Sequence, residues 1–180
     1  MPNIAVFIEQ RDGAIKKVAW QMLSEARRIA DASGGEVWGV FLGGDAAATA
    51  TEAGKYGADK LFSASGEEFN VYNSEIYGTA LASFCQSAGC DLLLIGSTAM
   101  GKDLGPKVAA KLGCACISDA VALKYEGGWE VRRPIFAGKC FADVAPRTPM
   151  PARPLTRAQR ESTPRPWCRA SRPAAEARSN

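Results

Sequence analysis

Ser97, Thr98 and Lys102, spaced by Gly96 and Gly101, are the residues of this chain best placed by type to do chemistry. Two hydroxyls, a lysine and the free amides of a glycine-flanked turn could hold an anion at the start of a helix. Asp103 works against that, because its carboxylate would compete with an anion for the same amides. A plain connection between strand and helix is the alternative reading of Gly96-Ser97-Thr98-Ala99-Met100-Gly101-Lys102-Asp103. Arg132-Arg133 is a second cationic candidate, either a phosphate clamp or the solvated edge of a strand.

Much other chemistry is excluded by composition. The chain has no histidine, which removes His-based triads, His general bases and His metal ligands. It has no Gly-x-x-x-x-Gly-Lys-Ser/Thr, and Glu9-Gln10-Arg11-Asp12-Gly13 stands where a Gly-x-Gly-x-x-Gly would follow the first strand. Ser33-Gly34-Gly35 ends a helix rather than opening one, so it is a helix stop and not a phosphate loop. Six cysteines (Cys85, Cys90, Cys114, Cys116, Cys140 and Cys168) are scattered along the chain. They are expected to be free and mostly buried thiols, with Cys114 and Cys116 on one face of a strand. No cysteine pair lies at zinc-ligand spacing with a second pair, and no catalytic, cofactor-binding or metal-ligating residue is assigned.

The elements that must position the Gly96–Lys102 stretch are legible around it. Asp91-Leu92-Leu93-Leu94-Ile95 is a continuous apolar run, expected to be a fully buried, central parallel strand. Asp103 is the expected N-cap of the next helix, with Pro106 in its first turn. Leu104, Val108 and Leu112 share one face, and Gly113 is the stop. Upstream, Ile4–Ile8 reads as a strand. Ile15, Val18, Ala19, Met22, Leu23, Ala26 and Ile29 recur at helical spacing, and residues 36–42 form a second strand. Asp45 caps a short helix, residues 60–63 form a third strand, and Asn73 or Ser74 opens a helix that closes at Gly89. Strands alternating with helices imply βαβ crossovers and a parallel sheet, with Ile4–Ile8, Val37–Leu42 and Leu92–Ile95 adjacent. After Gly113 the rhythm changes to period two, and Glu126-Gly127-Gly128 turns one strand into the next. The expected fold class is therefore α/β: a doubly wound, mainly parallel, Rossmann-like sheet of the adenine-nucleotide-hydrolase type, with a late antiparallel hairpin.

The 180 residues divide by charge. Residues 1–144 hold 14 Lys and Arg against 17 Asp and Glu, whereas residues 145–180 hold eight Arg, two Glu and seven of the ten prolines. Residues 1–144 are read as one domain, and 145–180 as an Arg/Pro-rich tail that builds no packed core and is expected to be disordered. A shifted reading frame near Val144 would also yield such a composition. The tail lacks lysine and interleaved aromatics, so no nucleic-acid partner is expected. No apolar run approaches the ~20 residues that span a bilayer, so no membrane insertion is expected. Met1-Pro2-Asn3 leads straight into a strand, and the expected location is the cytoplasm.

Several of these motifs together resemble a known family. Asp91 through Thr98, Gly101-Lys102-Asp103-Leu104 and Val108-Ala109-Ala110-Lys111-Leu112-Gly113 are similar to the amino-terminal domain of the electron transfer flavoprotein alpha subunit. Tyr56-Gly57-Ala58-Asp59-Lys60, Ser118-Asp119-Ala120-Val121 and Arg133-Pro134-Ile135-Phe136-Ala137-Gly138-Lys139 match in order, so the resemblance covers residues 1 to about 144. It implies a heterodimer with a beta subunit that carries electrons from flavin dehydrogenases to a quinone oxidoreductase or similar acceptor. It implies an electron carrier rather than an enzyme, with FAD held mainly by a separate carboxy-terminal domain and AMP held in the beta subunit. This piece would then be a truncated alpha subunit, a scaffold and partner surface that holds no FAD alone. The alternative is a small adenine-nucleotide-binding domain of the universal-stress-protein type, which would want a Gly-rich phosphate loop where Lys102-Asp103-Leu104 stands.

Overall fold

The computed structural model describes residues 1–11, 13–147 and 168–170. The core begins with β1 (Asn3–Ile8), whose alternate side chains enter two different clusters. Ala5 and Phe7 face one, and Ile4, Val6 and Ile8 face the other; each of these five is 0–1% exposed. A strand buried on both faces must be apolar at every position, which explains the continuous run. Each large side chain among them contributes roughly 1.5–3 kcal/mol by burial.

The chain then makes a two-strand ribbon, β2 (Gln10–Arg11) with β3 (Ala14–Ile15), before α1 (Lys17–Ser33). Ile15 thus belongs to the ribbon, and the helix starts two residues later. Gly34 closes α1 in the left-handed conformation, its N–H donating to Ala30 O. There follow β4 (Glu36–Leu42), α2 (Ala46–Lys55, capped by Asp45), β5 (Lys60–Ala64), α3 (Ser74–Ala88, capped by Asn73), β6 (Leu92–Leu94) and α4 (Ala99–Leu112). Residues on α1 and α2 pack into the Ile4 cluster, and residues on α3 and α4 into the Phe7 cluster, so the sheet is wound on both faces. The parallel order is β5-β4-β1-β6, which makes the expected α/β fold class correct.

Two expectations about β6 need correcting. Leu92–Leu94 is the edge of this sheet rather than its centre, and its leucines are half-buried. The central strand is β1, which pairs with β4 on one side and β6 on the other. The first crossovers step outward through β4 to β5, and the next returns across β1, so among the described residues β6 pairs on one side only. Leu92–Leu94 and Val37–Leu42 therefore both neighbour β1 but not each other. The apolar run reflects two helix-covered faces, while no described strand pairs with its outer edge.

The second sheet is antiparallel: β7 (Ala122–Tyr125), β8 (Trp129–Ile135) and β9 (Cys140–Val144), in that order. Gly127, at φ 76°, makes the β7–β8 turn that a side chain would strain. Leu123 and Val131 bury against the Ile4 cluster beside α1, and Arg28 Nη2 of α1 donates to Leu123 O at 3.3 Å. Cys114 and Cys116 lie between α4 and β7, in no strand. Of the five described thiols, Cys85 and Cys90 are buried, Cys114 is half-buried, and Cys116 and Cys140 are exposed, so burial is the minority state. The expectation of a disordered tail falls almost wholly outside the described residues. Within it only residues 145–147 and β10 (Cys168–Ala170) are described, the latter antiparallel to β5.

Candidate functional site

In an open α/β sheet the crevice between strands whose crossovers leave in opposite directions is the place for a ligand. Here it lies between the carboxyl ends of β1 and β6, where the chain leaves toward α1 from one and α4 from the other. Glu9, the residue after β1, stands in it and is only 4% exposed. Thr98 donates its hydroxyl to Glu9 Oε2 at 2.5 Å, while the same Oγ1 accepts from Gly101 N at 3.0 Å. Glu9 O also accepts from Lys16 N at 2.9 Å, so one residue ties the exit of β1 to the starts of both α1 and α4.

Thr98, not Asp103, is therefore the N-cap of α4. The helix can begin this early because Gly101 has no side chain: a Cβ there would lie 1.8 Å from Gly96 O. Pro106 consequently falls inside the helix instead of in its first turn, and removes one backbone donor there. Residues 99–103, expected in a loop, form the opening of the helix.

The other candidate residues lie around this crevice. Ser97 Oγ donates to Asp119 Oδ1 at 3.4 Å, and Lys102 Nζ is 4.0 Å from the same oxygen. Asp119 holds a left-handed backbone at φ 57°. Asp103 faces the other way and accepts from the Tyr72 hydroxyl at 2.7 Å. Burial first, and then that hydrogen bond to a carboxylate, push the Tyr72 hydroxyl well above the ordinary phenol range. Arg132 makes a two-point ion pair with Asp143 across β8 and β9, at 2.7 and 2.8 Å. Arg133, on the opposite face, is half-buried and reaches only Ser118 Oγ at 3.4 Å. The structure thus brings the Gly96–Lys102 stretch and Arg133 together, through the adjacent pair Ser118 and Asp119.

Sequence reasoning missed Glu9, Ser118 and Asp119 as members of this site. The one signal for Glu9 was an acidic residue directly ending an all-apolar strand. Among the described residues no group of three or more Cys, Asp or Glu side chains could hold a metal ion, and no helix is long and apolar enough to cross a membrane.

The electron transfer flavoprotein domain matches residues 4–154. The chain belongs to that family. It is 36% identical over 149 residues to the electron transfer flavoprotein subunit alpha of Bacillus subtilis (strain 168), covering 82% of this chain and 45% of that protein. It is 35% identical over 121 residues to the acryloyl-CoA reductase electron transfer subunit beta of Anaerotignum propionicum, covering 67% of this chain and 33% of that protein. With the protein FixB of Clostridium saccharobutylicum it shares 31% over 146 residues, 79% of this chain and 43% of the relative. The chain spans less than half the length of these relatives, and two of the three carry names that state electron transfer.

A flavin or adenine dinucleotide would bring a pyrophosphate to this crevice, where it would meet the Glu9 carboxylate already engaged by Thr98. Asp119 adds a second carboxylate, held by Ser97 and Lys102. The described residues of this crevice do not fit a dinucleotide, and the same carboxylates disfavour the universal-stress-protein alternative.

Proposed function

We propose that this chain supplies the scaffold and the beta-subunit-facing surface of an electron transfer flavoprotein of the alpha type. Residues 1–144 make the α/β domain, with residues 145–180 as an extension beyond it. The complex would act in the cytoplasm, taking electrons from flavin dehydrogenases and passing them to a quinone oxidoreductase or similar acceptor. FAD would be held by polypeptide corresponding to the remaining half of the relatives, and AMP by the beta subunit. The chain itself is then a carrier subunit and not an enzyme. The observation that carries this reading is the family match over residues 4–154.

The test is co-expression of the chain with a beta subunit, with and without the carboxy-terminal half of the Bacillus subtilis alpha subunit. Flavin absorbance should co-elute only when that half is present, and the chain alone should be colourless. Stoichiometric FAD on the chain alone would overturn the assignment, as would failure to associate with the beta subunit.

A further inference from the structure

Arg133 is a half-buried guanidinium without a carboxylate within ion-pair distance among the described residues. Its Nε is buried with no hydrogen-bond partner, and its one polar contact is the neutral Ser118 hydroxyl at 3.4 Å. Its neighbours are balanced. Arg132 is matched by Asp143, and Lys102 faces Asp119. Arg133 is therefore the surplus charge where the α4–β7 connection meets β8, and a partly desolvated cation is costly until an anion answers it.

The segment after β8 adds a second observation. Phe136 and Ala137 both adopt left-handed backbone, at φ 49° and 55°, although neither is glycine, and Phe136 is 76% exposed. Such strain costs of order 1–3 kcal/mol per residue and persists where surrounding structure holds it in place. Here it holds an aromatic ring in solvent three residues from an unpaired arginine. An exposed aromatic beside an arginine is the composition of an interface centre.

We infer that Arg133 is a docking point for an acidic side chain of the partner subunit, which completes its ion pair in trans while Phe136 is covered by the same contact. This rests on the heterodimer reading above. Lys102 and the Ser118 hydroxyl flank the point and make the approach favourable to a carboxylate, with Asp119 already held by Ser97 and Lys102. A contact of this kind strengthens specificity and association rate and weakens as salt rises.

The test measures affinity for the beta subunit of the Bacillus subtilis flavoprotein by calorimetry, using the full chain, Arg133→Gln, Arg133→Lys, and Lys124→Gln as a control of equal charge on the opposite face of the sheet. Arg133→Gln should weaken binding about tenfold or more and flatten its salt dependence. Arg133→Lys should retain part of the affinity, and Lys124→Gln should match the unaltered chain. Arg133→Gln should also leave the thermal midpoint of the free chain unchanged or raised, because it removes a charge with no partner; a structural arginine would lower it. Equal affinity of Arg133→Gln and the unaltered chain would overturn the inference while leaving the heterodimer intact. Saturable binding of inorganic phosphate that depends on Arg133, with partner affinity untouched, would overturn it in favour of a small-anion site. No binding by the unaltered chain would remove the heterodimer reading itself.

Discussion

Thr98 caps helix α4 and donates its hydroxyl to the buried carboxylate of Glu9, 89 residues away in sequence and 2.5 Å away in space. This single contact closes the switch-point crevice, starts the helix five residues earlier than its sequence suggests, and fixes the turn that carries Ser97 to Asp119.

Glu9 and Thr98 should therefore behave as a coupled pair. Thr98→Val removes both the cap and the donor to Glu9, and should destabilise the domain by about 2–3 kcal/mol. Glu9→Gln keeps an acceptor and should cost less, whereas Glu9→Ala leaves the hydroxyl unsatisfied. Urea denaturation of the single and double variants measures the coupling. Additive losses would show that the hydrogen bond carries no energy of its own.

Gly101 should tolerate no side chain. With a Cβ 1.8 Å from Gly96 O, Gly101→Ala forces the start of α4 away from β6. A loss of about 3 kcal/mol or more is expected, despite the usual preference of helices for alanine. Gly105→Ala in the same helix, where a Cβ would meet nothing within 4 Å, should be neutral or stabilising. Thermal unfolding of the two variants side by side separates packing from propensity.

Tyr72 should stay protonated beyond the pH at which exposed phenols ionise. Its folded pKa is raised by burial first and by Asp103 second, relative to an unfolded value of about 10. The stabilisation is thus fully present below about pH 10 and is lost as pH rises toward the folded value. Ultraviolet titration of Asp103→Asn should move the Tyr72 transition downward without bringing it to the ordinary range, because burial remains. An unmoved transition would mean that Asp103 has no hold on the phenol.

The thiols should divide by exposure. Cys140 should react quickly with a water-soluble disulfide reagent, Cys116 more slowly because partial burial pushes its thiol up, and Cys85 and Cys90 only on unfolding. Cys85 should be the slowest, since its contact with Cys90 and then burial push its thiol far above the usual range. Mass mapping of labelled peptides from native protein checks this order. Early labelling of Cys85 would show that the end of α3 opens locally.

What the sequence by itself determined was whatever depends on near neighbours. The run Ile4–Ile8 is apolar at each position because both faces of β1 are covered, so its burial could be read directly. Asn73 and Gly89 mark the ends of α3 through local amide and carbonyl capping. Gly127 marks the turn of the antiparallel sheet. The family, too, was readable from motifs in order. Tertiary structure decided the rest. Whether Leu92–Leu94 is a centre or an edge depends on which side of β1 a crossover lands, and a run of leucines does not encode that. The true start of α4 depends on a close approach of Gly101 to Gly96, and on a carboxylate from the far end of the domain. Arg132 and Arg133 are adjacent and identical in type, yet the alternation of a strand sends one to Asp143 and leaves the other without a counter-charge among the described residues.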